Sequence, residues 1–429
     1  MNVAVIGGGY AGMAAAVTLA GHGVDVTVFE AARTLGGRAR RVEHRGLALD
    51  NGLHILIGAY SELQRLVAVV GQDPARSFLR IPLTWDIQDR LMLRAANLLA
   101  PLNLAAGLLA ARGFTLGERL GVLRFMMRMR RRRFRLSHDM SVANLLDQEG
   151  EKGRARHLLW RPLCISALNT PPEAASAQVL LNVLRDGLNA KRAASDLLLP
   201  RVDLSALFPE PGARYVEARG GTVLLGERVT AIDPEGDGYT VRTAARRRVF
   251  THVVCALPPY RVNAFLIGIT ALSELADIID RMTYQPIHSV YLGYPEHVHL
   301  RTPMLGFDSS LLQWAFDRGV LCNQHGVIGL VISAEGAHEE MPHDELAERC
   351  HQELQHQIGV LPAPLWKRVI AEKRATFASR PGLARPPAAT PLRNLYLAGD
   401  YVASDYPATL ESAVRSGVAA ARLVLERRE

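Results

Sequence analysis

Three groups of residues have types and spacings that could do chemistry. Near the start, Gly7-Gly8-Gly9-Tyr10-Ala11-Gly12 has the G-x-G-x-x-G spacing, and Glu30 stands eighteen residues after Gly12. Such a loop serves a phosphate. Gly7 permits a tight turn, Gly9 lets a diphosphate approach the backbone, and Gly12 lets a helix lie close to a strand. A carboxylate at Glu30 can take both ribose hydroxyls and would repel a 2′-phosphate. Six residues later comes Gly36-Gly37-Arg38, and near the other end of the chain Gly399-Asp400. A nicotinamide coenzyme has no need of a second glycine pair. A cofactor with a ribityl chain and a flavin ring runs past the first loop, and it needs more open backbone, a cation near its diphosphate (Arg38) and an acceptor for a ribityl hydroxyl (Asp400).

These groups need elements to hold them. Val3-Ala4-Val5-Ile6 reads as a strand, Met13–Gly21 as a helix, and Val24–Phe29 as a second strand delivering Glu30. Asn394–Asp400 reads as a buried strand, followed by a loop over Tyr401–Pro407. A helix from about Ala408 to Glu426 carries Thr409 in its first turn. The N-terminus of that helix would favour negative charge on a reduced flavin ring.

With these motifs the chain resembles the FAD-dependent amine oxidase and phytoene desaturase superfamily, where the glycine fingerprint, the Gly-Gly-Arg segment and the terminal Gly-Asp strand contact FAD. The resemblance implies an α/β fold, with a discontinuous Rossmann-like FAD domain of the glutathione-reductase type and a mixed α+β substrate domain. Gly220–Ile232 is similar to the family strand whose valine main chain meets adenine, which lands on Val229. Residues 239–254 alternate like a hairpin, and Cys255-Ala256-Leu257-Pro258-Pro259 resembles the return to the FAD domain. The FAD domain is expected from 1–60, 210–262 and 385–429, and the substrate domain from 61–209 and 263–384. The cofactor residues so implied are Gly7, Gly9, Gly12, Glu30, Gly36, Gly37, Arg38, Val229, Gly399, Asp400 and Thr409.

A narrower branch is indicated by Trp160–Pro171, Leu199–Pro209, Asp50-Asn51-Gly52-Leu53-His54 and Pro407–Gly417. These segments resemble the squalene-associated FAD-dependent desaturases, the branch of hydroxysqualene dehydroxylases in hopanoid synthesis. The resemblance implies a reductive reaction on a long isoprenoid: an allylic hydroxyl is protonated and expelled, and hydride from reduced flavin N5 replaces it. The protein must supply an acid, a water-poor cavity and orientation along the chain. His54 is the candidate acid, because imidazole titrates near neutrality. Asp50 reads equally as a turn carboxylate, and Glu411 as a residue favouring the positive helix end. Asn169 and Pro171 are expected to border the substrate. One complete nucleotide fingerprint implies that electrons arrive from an external donor. A carotenoid-type desaturase remains an alternative. So does an amine oxidase using Lys373 with Tyr401 or Tyr406, and so does a flavoprotein scaffold without turnover.

Composition narrows the partners. Cys164, Cys255, Cys322 and Cys350 lie far apart without metal-ligand spacing, which speaks for thiols in a reducing, cytoplasmic compartment and for no metal. The opening MNVAVIGGGY leaves no room for a signal peptide, and the uncharged stretch 95–111 is too short and too interrupted to span a bilayer. The helix-like 272–281 has the apolar spacing of a core element. Of the net charge of +8, seven charges come from the arginines of 124–135, RFMMRMRRRRFR. A nucleic-acid surface would need basic residues and stacking aromatics spread along a face, so nucleic acid is not expected. If helical, the segment places Arg124, Arg128, Arg131 and Arg135 on one face with apolar residues around it. That pattern suits a peripheral contact with an anionic membrane, with the 95–111 stretch dipping in beside it.

Overall fold

The computed structural model describes residues 1–188, 190–266 and 269–426. A five-stranded parallel sheet is assembled in the order Thr222–Leu225, Asp25–Glu30, Asn2–Ile6, His252–Cys255 and Leu395–Leu397. Its inner strands are buried on both faces: helices Tyr10–Gly21 and Leu410–Glu426 cover one, and a three-stranded antiparallel sheet with Val229, Tyr239, Val241 and Phe250 covers the other together with helix Ser273–Asp280. Helix Tyr10–Gly21 lies against the terminal helix Leu410–Glu426, where Gly417 permits the approach, and Gly12 lets the same helix pack on the strand and loop before it. A Cβ on Gly12 would come 1.9 Å from the Gly7 carbonyl oxygen, and one on Gly417 would come 2.0 Å from that of Ala11.

The pattern of 239–254 predicts a hairpin, and the second arm divides. Arg247–Phe250 pairs with Gly238–Thr243, after which His252–Cys255 crosses into the parallel sheet between Asn2–Ile6 and Leu395–Leu397. Reciprocal bonds between Asn2 and Thr251 hold the crossing, with each backbone N–H given to the other's side chain. The core beneath the parallel sheet also takes in Leu63, Leu66, Val67, Phe78, Leu204, Leu207 and Phe208. These residues come from inside 61–209, the segment expected to serve the substrate domain.

A second sheet has seven strands in the order Trp366–Phe377, Tyr284–Gly293, Val327–Ser333, Trp314–Asp317, Met304–Gly306, Thr84–Ile87 and Leu91–Arg94. Neighbours are antiparallel except where Gly306 meets Ile87. Helices between Leu102 and Leu188 pack on it through a core that includes Phe125, Trp160, Leu181 and Trp314. Helix Ser273–Asp280 buries Leu275, Ala276 and Ile279 against the parallel sheet's core, as its spacing predicts. An ion pair in which both side chains are 3% to 4% exposed ties the hairpin strand Leu47–Asp50 to the chain just after strand Trp314–Asp317: an Arg318 amino group lies 2.8 Å from Asp50 Oδ2. Asp50 Oδ1 accepts the Leu204 N–H, and the Tyr291 hydroxyl donates to the Asp50 carbonyl.

The arginine segment does not form one continuous face. Helix Leu116–Arg131 ends there, and Arg133 and Phe134 both take positive φ, which reverses the chain before Arg135. Arg128 and Arg132 clamp Glu149, and Phe125, Met129 and Phe134 are buried in the second core. Among the described residues no helix is long and apolar enough to cross a membrane.

Candidate active site

A cavity of about 770 Å³ runs from the glycine loop to the seven-stranded sheet, within the range of small-molecule and cofactor sites. At its first end, Gly7 has φ +109°, and a Cβ there would sit 2.7 Å from the Ala256 carbonyl oxygen. Gly9 caps helix Tyr10–Gly21 without any side-chain cap, so the first-turn N–H groups are open to an anion. A Cβ on Gly9 would meet nothing closer than Gly37 Cα at 3.7 Å. Gly36 and Gly37, at φ +117° and +63°, complete that wall. Glu30 Oε2 accepts from Gly8 N–H and Oε1 from Ala32 N–H, both at 2.7 Å, which fixes the carboxylate at the cavity edge near Val229.

Arg38 draws three separated segments together. One amino group lies 2.5 Å from Asp400 Oδ1, and the other donates to the Ala375 carbonyl at 2.7 Å. Burial works against the Arg38 charge, but Asp400 together with Tyr260 and Glu372 outweighs it and the pKa is raised. Arg38, the cation the sequence offers to a diphosphate, thus also organises the carboxylate offered to the ribityl end. Gly399 donates its N–H to Ser416 at 2.7 Å, and Thr409 Oγ1 caps the terminal helix by accepting from Ser412 N–H. Both Thr409 and Asp400 line the cavity.

At the other end an apolar patch faces the cavity beside Ser333, Glu372 and Thr376. Ile287, Trp314, Phe316 and Val331 come from three adjacent strands of the seven-stranded sheet, and Ile165 and Ala167 come from helix Arg161–Leu168 above them. Trp314 Nε1 donates to Ser166 Oγ at 2.9 Å, which locks its ring against that helix. His54 and Asn51 also line the cavity. His54 Nδ1 is 2.8 Å from the Gly52 carbonyl, so Nδ1 carries the proton there and Nε2 is the nitrogen left for a ligand. Burial lowers the His54 pKa, partly offset by that carbonyl. Asn51 Nδ2 donates to the Arg38 carbonyl and to Glu372 Oε2.

Several expected residues have other work. Asn169 reaches the cavity wall, but its amide is spent. It takes φ +46°, donates to Thr376 Oγ1 at 2.9 Å, and accepts the Ala334 N–H at 2.7 Å, which ties the helix end to the sheet. Pro171 does not line the cavity, and its carbonyl closes the following turn by accepting from Ala174 and Ala175. Asp50 is likewise outside, in the buried pair with Arg318. Glu411 caps a neighbouring helix, taking the N–H groups of Glu62 and Leu63 at 3.0 and 2.9 Å. Lys373, Tyr401 and Tyr406 are absent from the lining, so the lysine and aromatic arrangement of an amine oxidase does not assemble there. Two further residues support the site without a local motif of their own: Asn51 lies inside the Asp50–His54 segment, and Arg385 sits in irregular chain. Arg385 donates to the carbonyls of Asp400, Tyr401, Val402, Ser404 and Tyr406, and burial lowers its pKa to about 10. Among the described residues no cluster could hold a metal ion.

An uncapped helix start beside paired glycines, a fixed ribose-type carboxylate and an Arg–Asp pair further along fit an extended flavin dinucleotide. The sequence profile of the family described as flavin containing amine oxidoreductase matches residues 10–425. The chain belongs to that family. It is an FAD-dependent oxidoreductase, and within the family it falls in the branch of the hydroxysqualene dehydroxylases. The hydroxysqualene dehydroxylase of Rhodopseudomonas palustris is 31% identical over 99% of this chain and 98% of its own, and that of Sinorhizobium fredii is 26% identical over the same shares. The 15-cis-phytoene desaturase of Synechococcus elongatus is 23% identical, over 100% of this chain and 97% of its own. Cyclohexylamine oxidase from Brevibacterium oxydans superposes with a TM-score of 0.73 at 17% identity, covering 100% of the flavoenzyme and 99% of that chain, which shows the shared fold.

Proposed function

We propose that the flavoenzyme reductively dehydroxylates hydroxysqualene to squalene, working peripherally at a membrane on the cytoplasmic side. The observation that carries this reading is the continuity of the cavity, whose nucleotide end opens directly onto an apolar floor. The likeness to the Rhodopseudomonas palustris relative over nearly the whole of both chains supports it. When bound and reduced, FAD supplies the hydride. The chain's own residues do the rest. Ile287, Trp314, Phe316 and Val331 hold the hydrocarbon and keep water from the reacting carbon. His54, with Nδ1 tied to Gly52, gives the proton from Nε2 to the hydroxyl oxygen. The C–O bond breaks, water leaves, and the allylic carbon takes the hydride, so alcohol, proton and hydride become hydrocarbon and water. Electrons reach the cofactor from an external donor, because the chain has one complete nucleotide fingerprint.

The test is anaerobic incubation of chemically reduced enzyme with hydroxysqualene, following flavin reoxidation and squalene together. Stoichiometric squalene is expected. Oxidation of a C40 polyene by the oxidised enzyme, without dehydroxylation, would overturn the reading in favour of a desaturase. Reduced flavin that is not reoxidised by either substrate would leave a scaffold.

A further inference from the structure

Outside the cavity, the least ordinary surface is formed by residues 98–127. Half of the exposed large apolar side chains among the described residues fall there: Leu98, Leu99, Leu102, Leu109, Leu116, Leu120 and Met127. Leu99, Leu102 and Leu116 are 81%, 61% and 66% exposed. Scattered exposed leucines need no explanation, whereas a cluster of them does.

Two helices and the turn before the first, which carries Leu98 and Leu99, present the cluster. Helix Leu102–Leu109 buries Asn103, Gly107 and Leu108 and turns Leu102 and Leu109, seven residues apart, outward. Helix Leu116–Arg131 buries Val122, Phe125 and Met129. On its outer side Leu116, Leu120 and Met127 fall at i, i+4 and i+11, and Arg124 and Arg131 fall between and beyond them on the same stripe. The turn joining the helices is pinned by Arg119, which donates to the Leu109 carbonyl and to that of Phe114. A capping box between Thr115 and Glu118 starts the second helix. The face is therefore set before any partner arrives.

Charge decides the partner. From Arg94 to Arg135 there are ten arginines and one acid, Glu118, which the capping box already uses. Arg128 and Arg132 are held by Glu149, but Arg124, Arg130, Arg131 and Arg133 are exposed and make no ion pair among the described residues. Leucines interleaved and rimmed with unpaired arginines suit an anionic lipid surface, with apolar groups at the acyl boundary and guanidinium groups among the phosphates.

We propose that residues 98–133 are the bilayer contact of this enzyme, with the leucines of the turn and of both helices inserted and Arg124, Arg130, Arg131 and Arg133 on the headgroups. This deepens, and rests on, the reading of the substrate as a water-insoluble isoprenoid, and it replaces the Arg124-Arg128-Arg131-Arg135 face expected from the segment alone. None of these residues lines the cavity.

The test is sedimentation of the flavin-loaded protein with phosphatidylcholine vesicles, with and without phosphatidylglycerol. Salt-sensitive pelleting with the anionic vesicles is expected. R124Q/R130Q/R131Q/R133Q should lower the partition coefficient about five-fold for each arginine removed. L99S/L102S/L116S/L120S should weaken binding to both vesicle types, and R128Q should weaken it least. Flavin content and thermal midpoint verify that each variant is folded. Wild-type protein left in the supernatant, or quadruple variants that pellet like wild type, would overturn the proposal. So would a self-association in ultracentrifugation that L99S/L102S/L116S/L120S abolishes while vesicle binding stays unchanged, since the face would then be covered by a second copy. Conversion of hydroxysqualene in detergent micelles is measured in parallel. Turnover there without vesicle binding defeats the docking face alone, and vesicle binding without turnover defeats the substrate reading alone.

Discussion

The two ends of the cavity are built on different principles. At the nucleotide end the chemistry is done mainly by backbone: open N–H groups, glycines without a Cβ, and carboxylates held at fixed points. At the hydrocarbon end it is done by side-chain surface, with Ile287, Trp314, Phe316 and Val331 offered by strands whose register comes from the sheet. Backbone requirements restrict a position to one residue type, and apolar surface can be made from many. The first end is therefore specified residue by residue, and the second only by position in the fold.

The largest expected effect comes from breaking the buried Asp50–Arg318 pair. Arg318→Leu leaves Asp50 buried without its cation and should cost about 3–5 kcal/mol of stability, read as a lower urea midpoint. The same variant with Asp50→Asn should recover part of the loss, and equal losses in both would show that the stranded carboxylate is not its cause.

Next in size is His54 on the cavity wall. His54→Gln should lower turnover about 10²-fold or more if it donates the proton. The sign of the pH dependence follows from burial, which lowers the imidazole pKa below 6.5. The proton on Nε2 is then lost at lower pH than usual, so wild-type turnover should fall as pH rises through that lowered value, and the variant's profile should be flat there. A wild-type rate that rises over the same interval would remove His54 as the acid.

Asn169 separates positioning from substrate contact. Asn169→Ala strands the buried Ala334 N–H and removes the tie to Thr376, which should cost about 1–3 kcal/mol with little change in KM. A raised KM at unchanged thermal midpoint would return Asn169 to the substrate. The smallest effect belongs to Pro171→Ala, whose side chain does not line the cavity. It should change both KM and stability little, within about 0.5 kcal/mol.

The motifs at the nucleotide end were readable because they answer local demands. Gly36 and Gly37 occupy positive φ, and Glu30 leaves its strand in the register that brings Gly8 to it. The segments around Asn169 and Glu411 were readable as important but not as to role. Asn169 finds its partners 165 and 207 residues away, and Glu411 caps a helix 348 residues earlier. Arg385 shows the same limit more sharply: five carbonyls converge on one guanidinium, and nothing in its own neighbourhood points to it.

By itself, the sequence determined the strand–glycine-loop–helix start, the carboxylate at Glu30, the Gly-Gly-Arg segment and the terminal Gly-Asp strand, and through them the FAD chemistry. Their spacing constrains backbone conformation within a few residues, and that constraint is written locally. Only the tertiary structure decided that Arg38 meets Asp400, that Asp50 and Glu411 are structural, that Pro171 stands outside the cavity, and that the arginine run is divided between clamps on Glu149 and an exposed leucine-rich face. Those outcomes depend on which distant surface a side chain reaches once the core has closed, and hydrophobic burial, which drives that closure, has no direction of its own.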